Sequence, residues 1–160
     1  MAYSDTINDK LATLERRSKK VEAQRREAEQ SLSACQDIRS HLKQQRQEFE
    51  DRQDQRRAAL YRLREDAPQC RGAELFLDMM TNQIQGSPYI NVADNYDETL
   101  RHIDGQVEEQ ELQIKDCRRQ MNDIEEDKTY YKKKLKRAEE EERQMARKQQ
   151  RLKTQREGER

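Results

Sequence analysis

From Leu100 onward the apolar residues recur at alternating steps of four and three: Leu100, Ile103, Val107, Gln110, Ile114, Cys117, Met121, Ile124, Lys128, Tyr131, Leu135, Ala138, Glu142, Met145, Gln149 and Leu152. Twelve of these sixteen positions are apolar or cysteine, in a stretch that is otherwise almost wholly polar. A mean step of about 3.5 residues is the seam of a coiled-coil helix, and a disordered polar chain has no reason to keep it. The first half holds a looser frame through Ile7, Leu11, Leu14, Ser18, Val21, Arg25, Ala28, Leu32, Cys35, Arg39, Leu42, Arg46, Phe49, Gln53, Arg56, Leu60 and Leu63. Six of those seventeen positions are polar. Arginine is tolerable there, because its stem can lie along the seam while its head stays wet.

End signals give the boundaries. Ser4 or Asp5 can cap a first helix over 4–66, and Asp66-Ala67-Pro68 should close it, since the residue before proline is pushed out of helical geometry. Asn95, with Glu98 three residues on and Asp97 near the positive end of the dipole, predicts the start of a second helix over 95–156, followed by a disordered tail at 157–160. Between the two, 67–94 reads as a connecting segment holding a short helix over 73–85, stopped by Gly86 and Pro88.

The fold class expected is therefore all-α: a long antiparallel two-helix coiled-coil hairpin with a short helix in the connection, each arm roughly 85 Å long. Pairing positions whose numbers add to 163 sets Leu63 beside Leu100, Leu42 beside Met121 and Leu11 beside Leu152. It also places Gln53 against Gln110, a polar layer of the kind that fixes register. Sliding by one heptad to 170 improves the flanking charges but leaves four wholly apolar layers in place of seven. Large side chains are worth about 1.5 to 3 kcal/mol each when buried, against about 0 to 1 for an exposed ion pair, so 163 is the register predicted.

The connecting segment is unlike the arms. Leu75, Phe76, Met79, Met80, Ile84, Tyr89, Ile90 and Val92 crowd together there, with the first five on one helical stripe. Phenylalanine with two methionines suits an adaptable binding surface. Two readings stay open: the short helix folds back and caps the end of the seam, or it presents Leu75, Phe76, Met79, Met80, Ile84, Tyr89 and Ile90 as a docking knob for a partner.

Composition narrows the function classes. Of 160 residues, 41% are charged and 31% hydrophobic, too little apolar material for one compact core. Lys+Arg and Asp+Glu each number 33, so the basic surplus of a nucleic-acid binder is missing. The most basic window, Tyr130 to Arg137, is followed at once by acid and reads as a solvated helix face. No apolar run approaches the roughly 20 residues of a membrane span, and the first residues hold no apolar leader. A cytoplasmic protein without membrane insertion is expected. Cys35, Cys70 and Cys117 are too far apart for a CxxC pair, and neither His41 nor His102 has a ligand at metal spacing. No phosphate-binding, dinucleotide or hydrolase motif occurs, so neither an enzyme nor a cofactor is expected.

Asn95-Tyr96 followed by Leu100, Ile103 and Val107 resembles the aromatic-then-heptad opening of the second helix in the rod (stalk) proteins of the bacterial flagellar and type III secretion export apparatus. That resemblance implies a cytoplasmic helical hairpin seated as a stalk in a hexameric export ATPase. Two function classes follow: an interaction protein whose rod, stalk or adaptor surfaces bind other proteins, with the export rod as its instance, or an architectural self-associating spacer or filament component. The hairpin predicts a monomer of 19.3 kDa, with a homodimer as the alternative.

Overall fold

The computed structural model describes residues 3–67 and 69–158, and among them every regular element is α-helical. Three helices follow in order: α1 (Tyr3–Asp66), α2 (Arg71–Gln85) and α3 (Ser87–Gly158). The long helices are what the sequence favours. Glu, Gln, Lys, Arg, Leu and Ala propagate a helix with little entropic loss, and both prolines fall outside the interiors of α1 and α3. α1 stops at Asp66 as expected; Pro68 itself lies outside the described residues.

The described chain forms two compact units, one from Met1–Ala28 with Leu112–Arg160 and one from Glu29–Glu111. In the first, α1 and α3 run antiparallel: Ser18 Oγ meets Met121 Sδ at 3.9 Å, and Ser4 Oγ donates to Glu142 Oε2 at 3.2 Å. Its core is Val21, Cys117 and Ile124, with Leu14 and Met121 packed against them. In the second, α1 is paired first by α2 and then by the start of α3. Leu60, Leu77 and Ile84 form its core, with Ala67 and Met80 alongside. The seam frame holds in both, since all seventeen α1 positions but Arg56 and Leu63 are buried or half-buried.

The register differs from the one predicted. Arg39 pairs with Asp104 at 2.7 Å and Arg46 with Asp97 at 2.8 Å, numbers that add to 143. Phe49 lies between the rings of Tyr89 and Tyr96, at 5.7 and 6.0 Å between centroids. In each unit the numbers of facing residues add to about 142, three heptads below 163. Gln53 therefore does not meet Gln110. Gln53 is buried at the level of Tyr89, and Gln110 is half-buried at the level of Leu32. The physical reason is the turn. α1 ends at Asp66 and α2 begins at Arg71, and α2 pairs with the end of α1 immediately, where Arg64 bridges to Asp78 at 3.2 Å. No long connection separates the arms.

Other boundaries move for related reasons. α3 begins at Ser87, not Asn95, so Asn95 and Tyr96 are interior residues. Pro88 does not block a helix there, because in the first turn its missing N–H has no bond to make. The heptad frame in fact runs back from Leu100 through Tyr96 and Ala93 to Tyr89. At the other end α3 includes Glu157 and Gly158, where a disordered tail was expected; 159–160 lie outside the described residues. Ser4 is inside α1 and bonds across to Glu142 instead of capping, while Asp5 sits in the first turn.

Candidate functional site

The region with the most unusual surface is the end of the second unit, where α1 turns into α2. α2 opens at Cys70, whose backbone is extended and whose side chain makes no cap bond, and closes at Gly86, whose N–H donates to the Asn82 carbonyl at 2.8 Å. A Cβ at Gly86 would overlap the Asn82 carbonyl oxygen and side chain, so glycine suits the single residue between the end of α2 and the start of α3.

α2 has two apolar faces. Leu77, Met80 and Ile84, spaced by three and four, lie on Leu60 and Ala67 of α1 and fix the helix in place. Leu75, Phe76 and Met79 point the other way and are 62%, 51% and 57% exposed, and Leu63 of α1 is 54% exposed beside them. Leu63 borders two shallow hollows. One, of about 220 Å³, is shared with Ala67, Ala73, Phe76 and Leu77. The other, of about 440 Å³, is shared with Leu60, Met80 and Ile84. A convex stripe of Leu75, Phe76 and Met79 thus stands beside an apolar groove along Leu63.

The residues singled out from the sequence separate accordingly. Leu75, Phe76 and Met79 share the outer face, Met80 lies on the border, and Ile84 belongs to the core. Tyr89 is not a surface residue of the knob: it stacks on Phe49, its hydroxyl donates to the Glu50 carboxylate at 3.0 Å, and the Arg57 guanidinium lies 4.9 Å from its ring centre. Hydrogen bonding to Tyr89 raises the Arg57 pKa still further above its ordinary range. Ile90 is exposed on the first turns of α3. Sequence reasoning missed Leu77, the most buried residue of α2 with Ile84, and Leu63 as a groove residue. The signal for Leu77 was present in its spacing to Met80 and Ile84, but the longer stripe through Phe76 concealed it.

Comparison with protein-family models, with curated proteins and with solved structures finds no match.

Elsewhere large apolar side chains such as Ile38, Tyr61, Leu112, Met145 and Leu152 are also exposed, set among polar neighbours. In the basic window Tyr131 is half-buried, with the Lys10 ammonium 5.3 Å from its ring, and Lys134 lies 5.7 Å from the Tyr130 ring. Cys35 is half-buried, Cys70 exposed and Cys117 buried, all as free thiols. Among the described residues no group of three or more His, Cys, Asp or Glu is placed to hold a metal ion, and no helix is long and apolar enough to cross a membrane.

Proposed function

We propose that this chain is a non-enzymatic, cytoplasmic coiled-coil hairpin that binds another protein through the outer face of α2 and the adjoining Leu63 groove. The observation that supports this reading is the double use of α2. Leu77, Met80 and Ile84 already provide its attachment, so the exposure of Leu75, Phe76 and Met79 serves no purpose in holding the fold. Large flexible side chains on a fixed helix fit a partner with an apolar concave surface, since phenylalanine and methionine give area at the centre of interfaces. Capping and docking are then two faces of one helix.

The test is capture of partners from a cytoplasmic extract by wild type and by Phe76→Asp/Met79→Asp, with helicity and unfolding midpoint measured on both. Both side chains are outside the core, so the variant should fold as wild type does, and it should lose a partner that wild type retains. Equal recovery from the two proteins sinks the reading.

The export-stalk instance rests on Asn95-Tyr96, Leu100, Ile103 and Val107. Since the first two lie inside α3, what supports it is the paired-helix architecture alone. Stimulation of an export ATPase by the purified chain is its test. The architectural alternative predicts that no partner other than the chain itself is recovered.

A further inference from the structure

In the second unit the α1 seam is two rows of side chains, each repeating every seven residues. One row, Arg39, Arg46, Gln53, Leu60 and Ala67, is buried or half-buried throughout. The other is half-buried at Cys35, Leu42 and Phe49, along the part of α1 that faces α3, and exposed at Arg56 and Leu63, where α2 takes over. α2 leans toward the opposite edge of α1, where Arg64 bridges to Asp78 and donates to Thr81 Oγ1 at 3.4 Å. One edge of an established helix–helix interface is thus left open beside α2. The two hollows along Leu63 occupy it, with Phe76, Leu77 and Met80 as the far wall.

Charge separates the two flanks. The ion pairs Arg57–Asp54 and Arg64–Asp78 lie on the closed side. On the open side the hollows are bordered by two charged groups, Arg56 at the end toward α3 and Asp66 at the turn.

We propose that this groove takes an amphipathic helix of a partner protein, about three turns long, with a carboxylate at the end over Arg56 and a basic group at the end over Asp66. The proposal rests on the reading of α2 and Leu63 as a docking surface and names what enters it. Two things select this occupant. The groove continues the α1 seam, whose spacing receives the apolar stripe of a helix, and its walls are helices without a free backbone edge for an extended segment. Its two charges are opposite in sign and about 15 Å apart along α1, so a three-turn helix with opposite charges at its ends meets both.

Fluorescence anisotropy on the whole chain tests this, with a labelled, helix-stabilised peptide of Leu and Ala carrying Glu at one end and Lys at the other. The peptide should bind saturably, and an isomer with its leucines spread around the helix should not. Leu63→Glu should weaken binding by more than about tenfold with unchanged helicity, because Leu63 is exposed in the free chain. Tyr61→Glu, at an equally exposed position on another face of α1, should leave binding unchanged. Arg56→Glu and Asp66→Lys should each weaken it severalfold and together restore it, since the helix then enters the other way round. Absence of saturable binding, or equal effects of Leu63→Glu and Tyr61→Glu, overturns the proposal. So does a chain that dimerises alone in sedimentation and loses the dimer with Leu63→Glu, which would put a second copy in the groove. Failure here is distinct from failure of the docking reading: a partner lost by Phe76→Asp/Met79→Asp but kept by Leu63→Glu upholds that reading and overturns the helix in the groove.

Discussion

The two buried clusters of this protein are of opposite construction. Val21, Cys117 and Ile124 come from segments far apart in sequence, whereas Leu60, Leu77 and Ile84 are neighbours across a tight turn. Closing a loop of about 100 residues costs roughly 1.4 kcal/mol more than closing one of about 20, because the penalty grows only with the logarithm of length. The distant core must therefore gain more from burial. It does so with Ile124, the largest fully buried side chain among the described residues. The local core is held cheaply and can leave Leu63, Phe76 and Met79 exposed beside it.

The largest expected effect tests the distant core through its register. Position 25 is the one that register sets level with Cys117. Arg25→Cys should therefore form a disulfide with Cys117 under mild oxidation and raise the unfolding free energy by up to about 4 to 5 kcal/mol, the figure for closing a loop near 100 residues. Arg46→Cys, which register 163 pairs with Cys117, should not cross-link. Non-reducing electrophoresis reads both, and the opposite result would return the pairing to 163.

Next in size are truncations of the two cores. Ile124→Ala should cost about 3 kcal/mol, and Leu77→Ala about 2, the low end of such values because a thin two-helix seam can relax around the gap. The comparison is sharpened by where amide protection falls. Leu77→Ala should release α2 and the end of α1 while 7–28 and 112–138 keep theirs. Equal loss everywhere would mean that the two units unfold as one.

Glycine substitutions come third and should differ in sign. Gly86→Ala forces a methyl into the Asn82 carbonyl and side chain and should cost about 1 to 3 kcal/mol, through displacement of α2 against α3. Nothing lies within 4 Å of a Cβ at Gly105, in the middle of α3, so Gly105→Ala should stabilise by about 0.5 to 1 kcal/mol. Denaturant midpoints measure both. A stabilising Gly86→Ala would show that α2 and α3 prefer to run on as one helix.

How much of this was legible beforehand follows from what periodicity can encode. A heptad pattern states which residues face a partner, and the α1 seam agrees with it from Ile7 to Leu60 apart from Arg56. It cannot state which heptad faces which, because sliding by seven preserves every a and d position. Register 142 offers seven wholly apolar layers when cysteine is counted: Ile7–Leu135, Leu11–Tyr131, Val21–Met121, Ala28–Ile114, Cys35–Val107, Leu42–Leu100 and Phe49–Ala93. That equals the number at 163, so burial could not choose between them. Turn length and the Arg39 and Arg46 ion pairs could. Reading Pro88 as a stop hid the first turns of α3, and with them the shortness of the turn. At the candidate site the apolar composition was plain, but its division between an inner and an outer face depends on which side α2 turns toward α1.

The smallest effect concerns charge. The second unit has ion pairs across its seam, Arg39–Asp104 and Arg46–Asp97. In the first, Glu22 bonds Arg25 and Arg26 on its own helix, and Glu125 bonds Lys128 on its own. The Arg25 hydrogen bond holds the Glu22 carboxyl below its ordinary range, and the Lys128 bond does the same for Glu125. A carboxyl whose pKa is lower folded than unfolded stabilises the fold above its unfolded value, and that contribution disappears as pH falls through the folded one. Thermal midpoints followed from pH 7 down to about 3 should therefore show Glu22→Gln slightly below wild type at neutral pH, with the two curves converging in acid. Because the bond supports a single helix, the variant should leave the Arg25→Cys cross-link to Cys117 intact. A gap between the curves that persists in acid would show that Glu22 acts through packing and not through its charge.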